Sequence, residues 1–168
     1  MNSQSRLEIA QGSLDRTLEF FSRVDAKASF ILALNTGMLA LLALNFDYND
    51  ILIWSFTGPF ILAVLGLSSS LFNIYHCQFP QLKGGSGSKF YFKEIASRTE
   101  AQFIDEFLKE KEDGLLKDVL GQVWRNSEIL NQKYAALKLA FKFTALSLLP
   151  WLTFLAVTTS IHSGIKVV

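Results

Sequence analysis

The stretch ASFILALNTGMLALLALNF (Ala28–Phe46), followed by DYND (Asp47–Asp50) and ILIWSFTGPFILAVLGLSSSLFNIY (Ile51–Tyr75), decides the fold. The first run holds no charged residue and is about 19 residues long, close to the length at which a helix rising about 1.5 Å per residue crosses roughly 30 Å of hydrocarbon. The second is about 25 residues, also uncharged, and spans with some tilt. With only an acidic turn between them, the two runs predict a helical hairpin in a bilayer. A third uncharged run, Phe143–Ile161, lies near the C-terminus. Unpaired backbone amides are so costly in lipid that each run must be helical or belong to a closed barrel, and the alternation a barrel needs is absent. A chain of 168 residues is too small to enclose three such runs in a soluble core.

Composition agrees. Half the residues are apolar, and a formal charge of +1 provides no field that would recruit nucleic acid. A single cysteine, Cys77, excludes an internal disulfide. Residues 1–24 lack the basic start, apolar core and small-residue cleavage site of a signal peptide. Arg6, Arg16, Arg23 and Lys27 precede the first run. Lys83, Lys89, Lys93, Arg98, Lys109, Lys111, Lys117, Arg125, Lys133 and Lys138 lie between the second and third, whereas the turn at 47–50 has no base and the tail only Lys166. The positive-inside rule therefore predicts a multi-pass membrane protein with a cytoplasmic N-terminus and central segment and an external C-terminus.

Four segments follow: a cytoplasmic amphipathic helix over 1–27, a transmembrane hairpin over 28–75, a cytoplasmic helical cap over 76–138, and a third transmembrane helix with a short outer tail over 139–168. The fold class is an all-α membrane protein. In the first segment Leu7, Ala10, Leu14, Thr17, Phe21, Val24 and Ala28 recur at three- and four-residue steps, a seam suited to another helix. Nothing breaks the pattern before Ala28, so this helix is expected to run straight into the first span. Asn35, Thr36 and Gly37 form a polar notch at mid-span, where small residues admit a neighbouring helix and an amide seeks a partner. Trp54 and Trp151 are candidate interfacial anchors. No Asp, Glu, Lys, Arg or His lies inside the three runs, which argues against a proton relay or ion-coupled pump.

In the cap, His76 and Cys77 lack the partner spacing of a zinc site or a nucleophilic pair. KGGSGSK (Lys83–Lys89) is not a Walker loop, because its glycine–lysine spacing is wrong and no strand precedes it; a flexible loop is expected. The aromatic group Phe90, Tyr91, Phe92 follows. Ser97 with Glu100, or Thr99 with Gln102, fits a capping box opening a helix in which Phe103, Ile104, Phe107 and Leu108 share a face. Glu110, Lys111, Glu112 and Asp113, followed by Gly114, read as a charged break. Beyond it a helix from Leu115, with Leu116, Leu120, Val123, Leu130 and Tyr134 along one side, continues into the third span and is interrupted at Pro150. Seams this narrow are expected to pack on one another and on further copies, giving a helical-bundle homo-oligomer in contact with membrane lipid.

Asp25, Lys27, Ala28 and Ser29 leading into a span with Asn35 and Gly37, then Phe92, then Gln122, Ser127, Lys133 and Tyr134 before the third span, form a pattern that resembles the transmembrane effectors of Pycsar, a bacterial antiphage system. The resemblance runs over nearly the whole chain. It implies a partner nucleotide cyclase that makes a cyclic pyrimidine nucleotide on infection, cyclic UMP or cyclic CMP, and an effector that answers by impairing the inner membrane in abortive infection. Pycsar effectors of other architectures carry a separate β-barrel nucleotide-binding domain, for which this chain has no room. If the cap itself binds the ligand, Lys83, Ser86, Lys89 and Arg98 are the candidates for the phosphate and Tyr91 or Phe92 for the base. Asn35, Gly37 and Pro150 are the candidate packing or gating residues. No cofactor, metal site or catalytic residue is expected, because no acid, base and nucleophile converge, and an enzyme is not indicated. The alternative is a non-gated membrane scaffold that recruits a cytoplasmic partner.

Overall fold

A computed structural model describes residues 3–79 and 85–163. Among these residues five helices follow one another: α1 (Ser3–Leu44), α2 (Trp54–Gln78), α3 (Phe92–Ala96), α4 (Glu100–Lys109) and α5 (Glu112–Ser163), with a 3-10 turn at Tyr48–Asp50 between α1 and α2. No strand occurs among the described residues. Three of the helices are long and apolar enough to cross a membrane, over Gln4–Leu44, Trp54–Gln78 and Glu112–Ile161, so the chain is an all-helical multi-pass membrane protein.

The chain divides into two compact units. The polar unit comprises Met1–Val24 with Phe79–Lys133, and the span unit Asp25–Gln78 with Tyr134–Val168. The apolar runs placed the corresponding boundaries at 27/28, 75/76 and 138/139. Helices α1 and α5 contribute residues to both units.

The polar unit packs α1 and α5 through a narrow seam. Ala10, Thr17 and Val24 of α1 are buried as the three-four spacing predicted, and on α5 Val119, Gln122 and Ile129 are buried. This corrects the face expected for α5, since Leu120 is half exposed: the seam follows the heptad register and accepts the polar Gln122 rather than tracking the bulkiest aliphatics. Helix α4 opens on the Thr99–Gln102 capping box. Phe107 meets Phe90 edge-on at 6.3 Å and Phe103 at 5.9 Å, while Ile104 and Leu108 stay exposed. The charged break is shorter than expected, because α5 already starts at Glu112. The chain turns at Glu110 and Lys111, and Gly114 lies in the first turn of α5, where a Cβ would overlap the Glu110 carboxylate.

In the span unit the same register persists. Ala28, Ile31, Asn35, Met38 and Leu42 of α1, Phe56, Ala63, Leu67, Ser70, Ile74 and Cys77 of α2, and Leu137, Ala140, Thr144, Ser147, Phe154 and Thr158 of α5 are the buried residues, separated by three, four or seven positions. Lipid is as apolar as leucine, so this bundle is held by packing and interhelical hydrogen bonds and not by hydrophobic burial between helices. Helix α1 stops where the Asn45 amide donates to the Leu41 carbonyl (2.9 Å), and Asp47 then accepts from the Asn49 backbone N–H (2.9 Å) and side chain (2.8 Å). Helix α2 begins at Trp54 and not at Ile51, because the Ile51 carbonyl is taken by the Thr57 hydroxyl (2.6 Å); it runs on to Gln78. Phe46, Phe56, Phe60 and Phe154 pack ring against ring at 4.6–5.7 Å between centroids and close this end of the bundle. Pro150 does not interrupt α5. It removes one donor, yet the helix continues to Ser163, as membrane helices tolerate when neighbouring groups re-satisfy the backbone.

Candidate functional site

Two places in the chain concentrate polar contacts, one in each unit. In the span unit all three membrane helices meet at Asn35, Ser70 and Thr144, each buried. The Asn35 amide donates to Ser70 Oγ at 2.7 Å, the Ser70 and Thr144 hydroxyls lie 2.9 Å apart, and the Thr144 hydroxyl donates to Asn35 Oδ1 at 3.0 Å. The Ala140 carbonyl stands 2.8 Å from Ser70 Oγ and 3.0 Å from Thr144 Oγ1. Each hydroxyl has one proton. The set therefore closes as a ring in which Asn35 donates to Ser70, Ser70 to Thr144 and Thr144 back to Asn35, with Ala140 the alternative acceptor for either hydroxyl. A ring of neutral donors and acceptors binds three helices without placing a charge in hydrocarbon.

Close approach makes the ring possible. A Cβ on Gly66, one turn before Ser70, would overlap Ser147 Oγ and stand 3.3 Å from Ser147 Cβ. On the α1 side the Trp151 indole donates to the Met38 carbonyl at 3.1 Å, which makes Trp151 an interior contact; Trp54, at the start of α2, is exposed. Of the notch residues only Asn35 enters the ring. Thr36 turns its hydroxyl back to the Leu32 carbonyl (2.8 Å), and Gly37 lies on the exposed face with open space where a Cβ would be. Pro150 lines a separate groove between α2 and α5 with Trp54, Gly58 and Pro59.

In the polar unit the centre is Ser88, which is buried. Its Oγ accepts the Phe90 and Tyr91 backbone N–H groups at 3.1 Å each and the Gln122 amide at 3.0 Å, while its carbonyl accepts from Arg98 Nη1 at 3.1 Å. Lys89 is held at both ends. Its backbone N–H donates to Asp118 (2.7 Å) and its ammonium pairs with Glu110 (2.7 Å); the Arg98 guanidinium pairs with Glu106 at 3.2 Å. The Lys89 ammonium, through hydrogen bond and charge, holds the Glu110 carboxyl below the usual carboxylate range. Gly87, at φ 77°, adopts the left-handed turn that glycine permits, and its N–H donates to Glu94 at 2.8 Å. The described part of the glycine-rich loop is thus fastened to α3 and α5, where a flexible linker was expected.

The candidate phosphate ligands are therefore partly gathered. Lys89 and Arg98 flank Ser88, each already facing a carboxylate, and Ser86 is exposed on the same turn. Lys83 lies outside the described residues. Tyr91 and Phe92 meet edge-on at 5.1 Å, with Phe92 exposed. Ser88, Ser70 and Thr144 are not singled out by the sequence, and Gln122 enters there only as part of the family pattern. The available signal was register: Gln122, Thr144 and Ser147 fall on the heptad positions that hold Val119, Ile129 and Leu137, and Ser70 on those of Ala63 and Leu67. His76, at the end of α2, lies against Phe72 (4.4 Å between ring centroids), and Cys77 is part of the buried seam.

A family model described as a Pycsar effector protein domain matches residues 9–160, which takes in all three membrane helices and the segment between the second and third. No curated protein and no solved structure matches the chain.

Proposed function

The chain belongs to the Pycsar effector protein domain family, and from that premise we propose that it is the non-enzymatic membrane effector of an antiphage system, switched on by a cyclic pyrimidine nucleotide and acting by impairing the inner membrane. The observation that carries this is the extent of the match, which includes the three spans and the polar unit together. The cyclase that supplies cyclic UMP or cyclic CMP is its functional partner. Abundant Lys and Arg outside the spans support a cytoplasmic N-terminus and polar unit, on the side where such a nucleotide is made.

The nucleotide enters at Ser86–Arg98. A phosphate competes there with Glu110 for Lys89 and with Glu106 for Arg98, a chemically matched exchange of one oxyanion for another. A ligand shifts an equilibrium only by its preference for one state, and the exchange provides that preference by releasing α4 and the first turn of α5 from the loop. Helices α1 and α5, which contribute to both units, carry the change to the Asn35–Ser70–Thr144 ring. Exposed Leu108, Leu120 and Trp124 on the polar unit support assembly into a homo-oligomer. The test is entry of a membrane-impermeant dye into cells expressing the chain, with and without added cyclic UMP or cyclic CMP. Entry only with nucleotide is expected; equal entry in its absence refutes gating and returns the chain to a constitutive role.

A further inference from the structure

On the side of the span unit away from the α2–α5 groove, α1 and α5 leave a second groove between them of about 750 Å³. The two helices run parallel through it, because their contacts advance together: Asn35 meets Thr144, and Met38 meets Trp151. Ile31, Leu137 and Thr144 form its buried floor, and Phe30, Phe141 and Leu148 its exposed apolar walls. At one end stand two cations. Lys27 lies eight residues before Asn35, about 12 Å along α1, and Lys138 six residues before Thr144, about 9 Å along α5. Both therefore sit at nearly the same height, Lys27 at the edge of the first apolar run and Lys138 a little before the third, with Lys142 bordering that run. Both are exposed, and neither has an ion-pair partner among the described residues.

The groove ends at Leu34 and Leu148, about 10–15 Å along the helices from the lysines, which is no more than half of a hydrocarbon core of roughly 30 Å. That length decides the occupant. A transmembrane helix from a second copy needs a seat running the full thickness and a carboxylate opposite the lysines; an acyl chain of one leaflet needs half the thickness and brings its own anion. We propose that this groove is a binding site for an anionic phospholipid, with the phosphodiester between Lys27 and Lys138 and one acyl chain along Ile31, Leu34 and Leu148. Basic positions between membrane helices at headgroup height are suited to such lipids. The bound chain lies against Thr144, so the site adjoins the three-helix ring, and it is occupied whether or not nucleotide is present.

Native mass spectrometry of the full chain in detergent, titrated with phosphatidylglycerol or phosphatidylcholine of identical acyl chains, tests this. Each lysine near the headgroup plane contributes roughly a fivefold preference for the anionic lipid, so two give about thirtyfold. Lys27→Gln with Lys138→Gln is expected to bring the two lipids near parity. Ala145→Trp, which keeps both lysines and fills the groove, is expected to lose retention of both lipids, and it decides the matter if the double lysine variant fails to insert. Equal retention of the two lipids by the unaltered chain overturns the proposal. So does a thirtyfold preference that survives the lysine substitutions, displacement of the lipid by millimolar cyclic UMP, or an Ala145→Trp variant that dissociates a dimer while keeping its phosphatidylglycerol.

Discussion

Replacing Asn35 separates the ring's two roles, holding the bundle and transmitting a signal. In Asn35→Leu the amide that donates to Ser70 and accepts from Thr144 is gone. Neither hydroxyl is orphaned, because the Ala140 carbonyl is 2.8 and 3.0 Å away and accepts from either. The loss is therefore two interhelical hydrogen bonds. In membrane proteins such bonds average about 0.6 kcal/mol with a ceiling near 1.7, so the expected cost is about 1.2 kcal/mol and no more than about 3.4 kcal/mol. Reversible unfolding in mixed micelles, followed by tryptophan fluorescence, reads this directly. Ser70→Ala sharpens the test. It removes a single oxygen, yet it leaves the Asn35 N–H facing hydrocarbon without its acceptor, a penalty of about 1–3 kcal/mol. Ser70→Ala should thus destabilise at least as much as Asn35→Leu although it deletes less. Dye entry on addition of cyclic nucleotide should be lost in both while both still insert. An Asn35→Leu chain as stable as the parent and equally able to admit dye would remove the ring from the mechanism.

Four further outcomes follow from the contacts. Gly66→Ala forces a methyl into Ser147 and should cost about 1–3 kcal/mol in the same unfolding assay, with partial recovery when combined with Ser147→Ala. Ser88→Ala removes the acceptor of three donors, and amide exchange over residues 85–91 should rise at least tenfold while exchange in α2 is unchanged. If nucleotide phosphate replaces Glu110 on Lys89, then Glu110→Gln should lower the nucleotide concentration for half-maximal dye entry and Lys89→Met should raise it; shifts of the same sign refute the exchange. Because Lys89 holds the Glu110 carboxyl below its ordinary range, the pair's contribution is fully present above the unfolded carboxylate value near pH 4.3 and fades as pH falls through the lower folded value. Exchange at Gly114 should therefore stay constant from pH 8 to 5, after correction for intrinsic rate, and accelerate only below about pH 4.5; acceleration already at pH 6 would assign the opening to another group.

The membrane helices were legible because their signal is additive. Nineteen or more uncharged residues in a row leave a backbone no option in lipid but to bond to itself. The α1 seam was legible for a related reason, since Leu7, Ala10, Leu14, Thr17 and Phe21 mark the register with apolar groups. On α5 the register was misjudged because the buried face carries Gln122, Thr144 and Ser147, and a search for the largest apolar side chains slides onto Leu116, Leu120 and Val123 instead. Asn35 was legible as a polar residue in need of a partner. Its partners were not, because Ser70 is one serine of the run Ser68–Ser70, and only the angle at which α2 meets α1 and α5 selects it from its neighbours. The loop fails differently: glycine and serine composition predicts freedom, whereas Ser88 gains order from Gln122, more than thirty positions away in sequence.

The kind of residue at each junction bears on what the protein can do. A proton relay or ion-coupled pump places ionisable groups along its path, whereas the spans here meet through an amide and two hydroxyls, whose bonds to one another can be exchanged for bonds to another helix at little net cost. Ala140 already offers each hydroxyl a second acceptor. A bundle closed by a few weak, exchangeable bonds can rest harmlessly in a membrane and still be separated by the modest differential affinity of a small ligand. That balance requires both states to be accessible. Removing the exchangeable groups at all three positions, as Asn35→Leu, Ser70→Ala and Thr144→Val together, should therefore yield a chain that inserts and binds nucleotide as before and admits no dye at any nucleotide concentration.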